Sequence, residues 1–433
     1  MFQLLIIALR NLGTHRRRTL LLGGAIAGVT ALLVVLMGLG NGMRATMLES
    51  ATTLMTGHVN VGGFYKVTAG QSSPVVVGYP KLMALIRQEV PELDYAVQRG
   101  RGWAKAVSDT GSLQVGMGGI DVDKEPGFRK VIQVREGRLD DLAQDGTVLL
   151  FEEQAKKLEV KVGDTLTLSA PTLRGVNNTL DVRVAAIAAN VGLMSSFNIF
   201  VPSSTLRTLY QLKDDSTGAL MLYLKDMDDI PRVQARLREE LPKAGYQVMD
   251  NDPKAFWMKF ETVNREGWTG QKLDITNWED EISFIKWTLT ALDALTGALI
   301  FVLLVIIAVG VMNTLWIAIR ERTREIGTLR AIGMQRSRVL VMFLLEALSL
   351  GLLSTLVGAV IGLGICGLVN LWDVSVPLGV QLLIMSEKLH LAVVPASVAR
   401  SVLFITLCTT LISLIPSFLA ARMKPVTAMH HIG

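Results

Sequence analysis

From Ala294 to Ile319 the chain runs for 26 residues without a charge, and it then breaks into IRERTREIGTLRAIGMQRSR. At 1.5 Å per residue such a run makes about 39 Å of helix, more than the roughly 30 Å hydrocarbon core of a bilayer. It reads as a membrane span, and that decides the class of the whole chain. The segment behind it sets Arg320, Arg322, Arg324, Arg330, Arg336 and Arg338 against Glu321 and Glu325. A short loop this rich in arginine stays on the cytoplasmic side during insertion. Apolar Ile326, Leu329, Ala331 and Ile332 lie among the charges, with Gly327 and Gly333 as breaks. This pattern predicts a short amphipathic helix, either a topogenic loop or a docking element for a cytoplasmic partner.

Three more runs share this character. Thr19 to Met43 is uncharged for 25 residues, longer than a signal-peptide core and without a small-residue cleavage site, so it reads as span 1. Val339 to Leu371 is interrupted only by Glu346, and Ser401 to Ala421 carries Pro416, which predicts a kink. Ahead of span 1, Phe2, Leu5, Ile6 and Leu9 at helical spacing precede Arg16, Arg17 and Arg18, the pattern of an interfacial helix with a basic anchor. The expected organisation is an interfacial helix at 1–18, spans at 19–43, 287–319, 339–371 and 401–421, a basic segment at 320–338 and an outer loop at 372–400. A tail at 422–433 leaves both termini inside, and 44–286 forms one large external region.

Half of the residues are hydrophobic and the net charge is +5. Of the 43 Lys and Arg, 29 lie between Arg44 and Lys286, where 32 of the 38 Asp and Glu also lie. The basic excess therefore flanks spans and is topogenic, which argues against a nucleic-acid partner and for the lipid bilayer. Cys366 and Cys408 sit in apolar runs and suit packing, not a disulfide or zinc.

The external region reads β-α-β twice. Strands near His58–Val61 and Tyr95–Gln98 flank a helix near Lys81–Val90, and strands at Ala219–Leu224 and Tyr246–Met249 flank a helix at Ile230–Leu241. Two such units predict a ferredoxin-like subdomain, with a β-rich subdomain inserted at about 100–217. Asn251 to Trp287 is expected to be a helical stalk leading into span 2. Gly24 with Gly28, and Gly358 with Gly362, Gly364 and Gly367, offer smooth helix faces. Asp293, near the outer start of span 2, reads as a shallow charge or as a functional intramembrane acid. Glu346 is expected to reach back towards the arginines of the basic segment.

The stretch VMNTLWIAIRERTREIGTLRAIGMQRSRVLVMFLLEALSLGLLSTLVGAVIG resembles the C-terminal membrane module of ABC-transporter permeases of the FtsX, MacB and LolC/LolE superfamily. The closing ARMKPVTAMHHIG and the stretch MTGHVNV after span 1 are similar to that superfamily as well, the latter to its LolC/LolE-like members. The resemblance implies an α-helical membrane protein with four transmembrane helices, MacB-like and of the type VII ABC class. It also implies a large α+β periplasmic domain with a ferredoxin-like porter subdomain and an inserted β-rich subdomain. On it, Glu321, Arg322, Thr323, Arg324, Glu325, Ile326, Gly327, Leu329, Arg330, Ala331 and Gly333 form a coupling helix seated on a cytoplasmic ABC ATPase dimer. A second permease subunit, copy or paralogue, is implied, together with a periplasmic carrier or adaptor in a bacterial inner-membrane setting. Leu32, Val35, Leu36 and Leu39 on span 1, with Leu299, Val302, Leu303 and Ile306 on span 2, fall on helical stripes. They are the candidates to line an apolar cavity for an acyl chain.

Residues 1–433 contain no G-x-x-x-x-G-K-[ST], H-E-x-x-H or G-x-S-x-G, so no enzymatic chemistry is expected on this chain and no metal site. His430 and His431 lack a third ligand. ATP and Mg are expected on the partner ATPase. Three functions follow from the resemblance: lipoprotein release from the inner membrane, MacB-like efflux of a peptide or drug, and FtsX-like mechanotransmission to a periplasmic hydrolase.

Overall fold

The computed structural model describes residues 2–14, 16–68, 70–321 and 323–422. Arg322 and the tail with His430 and His431 lie outside the described residues. The helices that frame the fold are α1 (Phe2–Thr14), α2 (Arg16–Ala51), α3 (Tyr79–Glu89), α4 (Ile230–Lys243), α5 (Ser283–Glu321), α6 (Thr323–Ala331), α7 (Arg336–Leu371), α8 (Leu378–Ile384) and α9 (Pro395–Ala421). The main strands are β1 (Val59–Thr68), β2 (Leu93–Val107), β3 (Ser112–Ile120), β4 (Thr147–Phe151), β5 (Thr165–Pro171), β6 (Asn177–Ala188), β7 (Asn198–Pro202), β8 (Ala219–Leu224) and β9 (Gly270–Asn277).

The chain divides into two units. The first comprises Met1–Ala45, Thr290–Ser375 and Leu389–Gly433. Among the described residues, four helices, α2, α5, α7 and α9, have the length and composition to cross a membrane. Their packing depends on small residues. A Cβ on Gly358 would stand 2.4 Å from the Ala27 carbonyl oxygen, and one on Gly362 would stand 2.8 Å from the Val34 Cβ, so α7 lies directly on α2. One on Gly351 would reach Thr409 at 2.6 Å, which seats α7 on α9 as closely. By contrast, Gly24, Gly28, Gly364 and Gly367 have no described atom within 4 Å of such a Cβ. Buried Leu22, Ile26, Leu33, Ile307, Val311, Leu315 and Ile405 join α2, α5 and α9.

The helices overrun the apolar runs that predict them. From Met43, α2 continues to Ala51 and a π-helical turn at Thr52–Thr56, and α9 begins at Pro395. Proline suits a first helical turn because its missing N–H would be unpaired there anyway.

The second unit is Thr46–Leu289 with Val376–Lys388. Its strands β9-β1-β8-β2 form an antiparallel sheet in the order 4-1-3-2, the ferredoxin-like arrangement. Alternation along the strands turns Val59, Val61, Leu220, Leu222, Leu273 and Ile275 into one core with Leu82 and Ile86 of α3 and Val233, Leu237 and Leu241 of α4. The fourth strand is not where the sequence suggests it. Tyr246–Met249 makes only an isolated bridge from Val248 to Leu273, after Gly245 (φ 88°) ends α4. The slot beside β1 is taken by β9, in continuous register from Val59–Asn277 to Lys66–Gly270. The expected stalk at Asn251–Trp287 is therefore corrected: it holds a short helix at Phe260–Arg265 and then a strand.

At Gly100 strand β2 changes partner. Up to Arg99 it pairs with β8, and from Gly100, opposite Gly119, it pairs with β3. Strands β2-β3-β7-β4-β6-β5 then close back on β2 as a ring of pairings, a small barrel filled by Val148, Leu150, Leu166, Leu168, Val182, Val184, Ile199 and Val201. The loop expected at 372–400 is also more than a connection. Its α8 is followed by Met385, buried in the core of the second unit, and by Glu387, paired with Arg135.

Candidate functional site

The basic segment is built as a helix held at both ends. Thr323 opens α6, and its hydroxyl donates to the Ile319 carbonyl at 2.9 Å, which closes the end of α5. On α6, Gly327 is buried, and the Arg330 guanidinium donates through Nη1 to the Ala421 carbonyl at 2.8 Å. That carbonyl belongs to the last turn of α9, where helix carbonyls lack intrahelical partners. Gly333 (φ 102°) turns the chain, its N–H donating to the Arg330 carbonyl at 3.2 Å, and Arg336 then opens α7. Ile319, Val339, Met342, Phe343, Ala420 and Ala421 form an apolar plug from α5, α7 and α9 at this end of the bundle. Glu321, Ala331, Arg336 and Arg338 are exposed, and Ile332 is 86% exposed. Arg324, Glu325, Ile326 and Leu329 lie within α6.

In the membrane helices a cleft of about 490 Å³ is lined by Leu33 and Met37 of α2, Ile300 and Leu304 of α5, and Arg400, Phe404 and Leu407 of α9. None of the eight residues that helical stripes single out is among those that line it. Leu32, Leu299, Val302 and Ile306 face outward, each at least 42% exposed, while Val35, Leu36, Leu39 and Leu303 are half-buried. Asp293 pairs with Arg44 at 2.9 Å, both partly exposed, so the acid near the start of span 2 has a cation beside it. Glu346 is buried on α7.

The second unit holds a charged layer that pattern reading misses. On the sheet face opposite α3 and α4, alternation places Asn60, Arg99, Arg101, Asp274 and Thr276, and all are buried. Arg99 pairs with Glu125 and Lys259 with Asp274 at 2.8 Å, while Arg101 stands 3.9 Å from Glu281. Thr276 and Asn60 donate to the same Glu281 oxygen at 2.7 and 3.2 Å. Burial pushes the carboxyls of Glu281, Glu125 and Asp274 above the ordinary range, with Arg101, Arg99 and Lys259 respectively opposing the rise. Burial likewise pulls Arg101 down against Glu281 and Asp274. Such pairs hold only when each partner is kept and hydrogen-bonded. Burial lowers the His58 pKa below its ordinary value, and its Nδ1 accepts the Leu224 N–H at 3.0 Å.

Comparison with known proteins covers both units. Residues 19–240 match the family described as MacB-like periplasmic core domain, and residues 297–425 match FtsX-like permease C-terminal. A macrolide export ATP-binding/permease protein MacB of Bartonella quintana is 24% identical over 98% of this chain and 59% of its own length. A probable syringafactin export ATP-binding/permease protein of Pseudomonas syringae pv. tomato is 24% identical over 96% of this chain and 57% of its own. The uncharacterized ABC transporter permease YknZ of Bacillus subtilis is 24% identical over 59% of this chain and 55% of its own. The chain thus spans less than two thirds of the length of these relatives.

Proposed function

The chain belongs to the FtsX/MacB superfamily of ABC-transporter permeases, and we propose that it is a permease subunit driven through α6 by a separate cytoplasmic ATPase dimer. In this reading a second permease subunit, copy or paralogue, completes the transporter, and ATP with Mg resides on the ATPase. The cargo is a lipid-anchored protein, released from the outer leaflet of the inner membrane towards the outer membrane by way of a periplasmic carrier. The observation that carries the coupling is the mooring of α6 to the ends of two spans, by Thr323 to α5 and by Arg330 to α9. A load on α6 is passed to both helices, and these line the apolar cleft with α2. An acyl chain gains about 25 cal/mol for each Å² of apolar surface it buries there. The outward stripe of Leu299, Val302 and Ile306 is a second apolar surface for the facing subunit to complete.

The relatives' names, macrolide export and probable syringafactin export, favour a second reading, MacB-like efflux of a peptide or drug. The test is reconstitution of the chain with its co-purifying ATPase in liposomes carrying a triacylated lipoprotein. ATP-dependent transfer to a soluble carrier is expected. Retention of the lipoprotein, with ATP-dependent export of an amphiphilic peptide, selects the second reading. Leu329→Asp, chosen from the apolar spacing of α6, should insert normally. It buries a charge in the docking cleft at a cost of several kcal/mol, so both ATPase co-purification and transport are expected to be lost. Normal ATPase recovery with this variant defeats the coupling assignment.

A further inference from the structure

Where β2 passes from the four-stranded sheet into the barrel it borders a cavity of about 380 Å³, inside the range of roughly 300–1,000 Å³ typical of small-molecule sites. Gly100 and Gly102 of β2 and Gly116 and Gly118 of β3 contribute bare backbone to its wall. A side chain cannot be added there freely: a Cβ on Gly116 would stand 2.3 Å from Asn198 Oδ1, and one on Gly118 would stand 2.7 Å from the Phe200 ring. Aromatic side chains form the rim. Trp103, Phe197 and Trp257 are each about two-fifths exposed, and Phe256 links two of them, its ring 5.5 Å from Trp103 and 5.3 Å from Trp257. Large aromatics left open around an apolar hollow mark a surface that is covered by something else.

One polar group faces this hollow with donors to spare. The Arg101 side chain is 7% exposed and stacks on Phe256 at 4.3 Å. Among the described residues its one hydrogen bond runs from Nη2 to Asn60 Oδ1 at 3.0 Å. Glu281 is 3.9 Å from Nη1, too far for a second. The Glu281 oxygens are engaged by other groups: Thr276 and Asn60 on one, and the Phe256 N–H at 3.4 Å on the other. Beside it, Arg99 Nε is buried with no hydrogen-bond partner. A guanidinium carries five donors in a fixed fork that matches a carboxylate, and burial makes unmatched donors costly.

We propose that this cavity binds a small amphiphile, its aromatic or alicyclic body held among Trp103, Phe256 and Trp257 and its carboxylate received by Arg101. The site lies wholly within the second unit, so it stands or falls independently of what the membrane helices carry.

The probe is 4-benzoylbenzoate, a photoreactive aromatic carboxylate, applied to the purified full chain and followed by peptide mapping. Label is expected at Met55, Met117 or Trp257, which line the cavity, with protection by excess 2-naphthoate. Trp257→Ala and Arg101→Gln should each lower labelling by about tenfold, the weight of one charge-assisted hydrogen bond or stacking partner, with partial recovery in Arg101→Lys. Since Arg101→Gln also strands Glu281, a second variant guards the result: Met55→Trp fills the hollow without touching a charge and should abolish labelling. Label confined to other regions, or unchanged by Met55→Trp and Trp257→Ala, overturns the site. Equal labelling by uncharged benzophenone overturns the carboxylate's role.

Discussion

At the scale of single residues, the positions that matter most are those where chemistry and surroundings disagree unless a neighbour intervenes. Gly42 on α2 is one: a Cβ there would stand 1.7 Å from the His390 carbonyl oxygen and 2.9 Å from the Ala392 nitrogen. These backbone atoms belong to a strap fixed to α7 through Asn370, which exchanges hydrogen bonds with Leu391 at 2.9 and 3.0 Å. Gly42→Ala must displace the strap and is expected to cost about 1–3 kcal/mol, read as a lower unfolding midpoint in detergent. Gly364→Ala, with no described atom within 4 Å of the new Cβ, should be neutral or stabilise by up to about 1 kcal/mol. Equal losses in both variants would show that helix propensity, not the close approach, sets the effect. His58 is another such position. Its native pKa lies below the ordinary 6.5 because burial disfavours the imidazolium, with the nearby Asp94 only a lesser opposing influence. The unfolded chain therefore binds the extra proton first, and stability present above about pH 6.5 is lost as the pH falls towards the native value. His58→Asn keeps an acceptor for the Leu224 N–H without titrating. The wild-type midpoint should fall between about pH 7.5 and 5.5 more steeply than that of the variant; parallel curves would remove His58 from the account.

At the scale of elements, what the sequence makes legible depends on whether burial follows a simple period. The spans announce themselves because a helix in lipid is apolar all round. Helices α3 and α4 sit close to their expected places because one face of each is apolar and the other is not, and strand β8 because ALMLYL is a short unbroken apolar run, buried on both faces. Strand β9 escapes this logic. Leu273 and Ile275 enter the core under α3 and α4, while Asp274 and Thr276 enter the buried charged layer, so its polar half imitates a solvated face. The tryptophans on either side, Trp268 and Trp278, then suggest a stalk. The same layer hides the Arg101 cavity, since no local pattern brings β2, β3 and Glu281 together. The α6 segment is the reverse case: its residues are contiguous, so the expected short helix between spans 2 and 3 is legible and is found at Thr323–Ala331. The loop between α7 and α9 reads as a connection in sequence because its seven-residue α8 is too short to show a period. Yet Met385 is 4% exposed in the core of the second unit, and Ser50 donates to its carbonyl at 3.3 Å. Met385→Ala should therefore destabilise that unit by about 2–5 kcal/mol, as loss of a buried side chain does. A midpoint unchanged in chemical denaturation would return α8 to the status of a plain loop.

At the scale of the whole molecule, the distribution of charge gives an expectation for the orientation of the chain. The region between spans 1 and 2 is nearly balanced, with 29 Lys and Arg against 32 Asp and Glu between Arg44 and Lys286, and gives no direction of its own. Direction comes from the clusters at Arg16–Arg18 and Arg320–Arg338, which lie at opposite sequence ends of spans 1 and 2 and oppose translocation. Both clusters can stay inside only if the region between the spans is outside. Two positions test this directly. The Asp123 side chain is 71% exposed, and its ion pair with Arg129 is of the surface kind that contributes little to stability. Ser337, between spans 2 and 3, is exposed as well. In a background where Cys366 and Cys408 are replaced by serine, Asp123→Cys should react with a membrane-impermeant thiol reagent in intact spheroplasts. Ser337→Cys should react only after lysis. The reverse pattern would place the second unit in the cytoplasm, remove α6 from reach of any cytoplasmic ATPase, and take the proposed coupling with it.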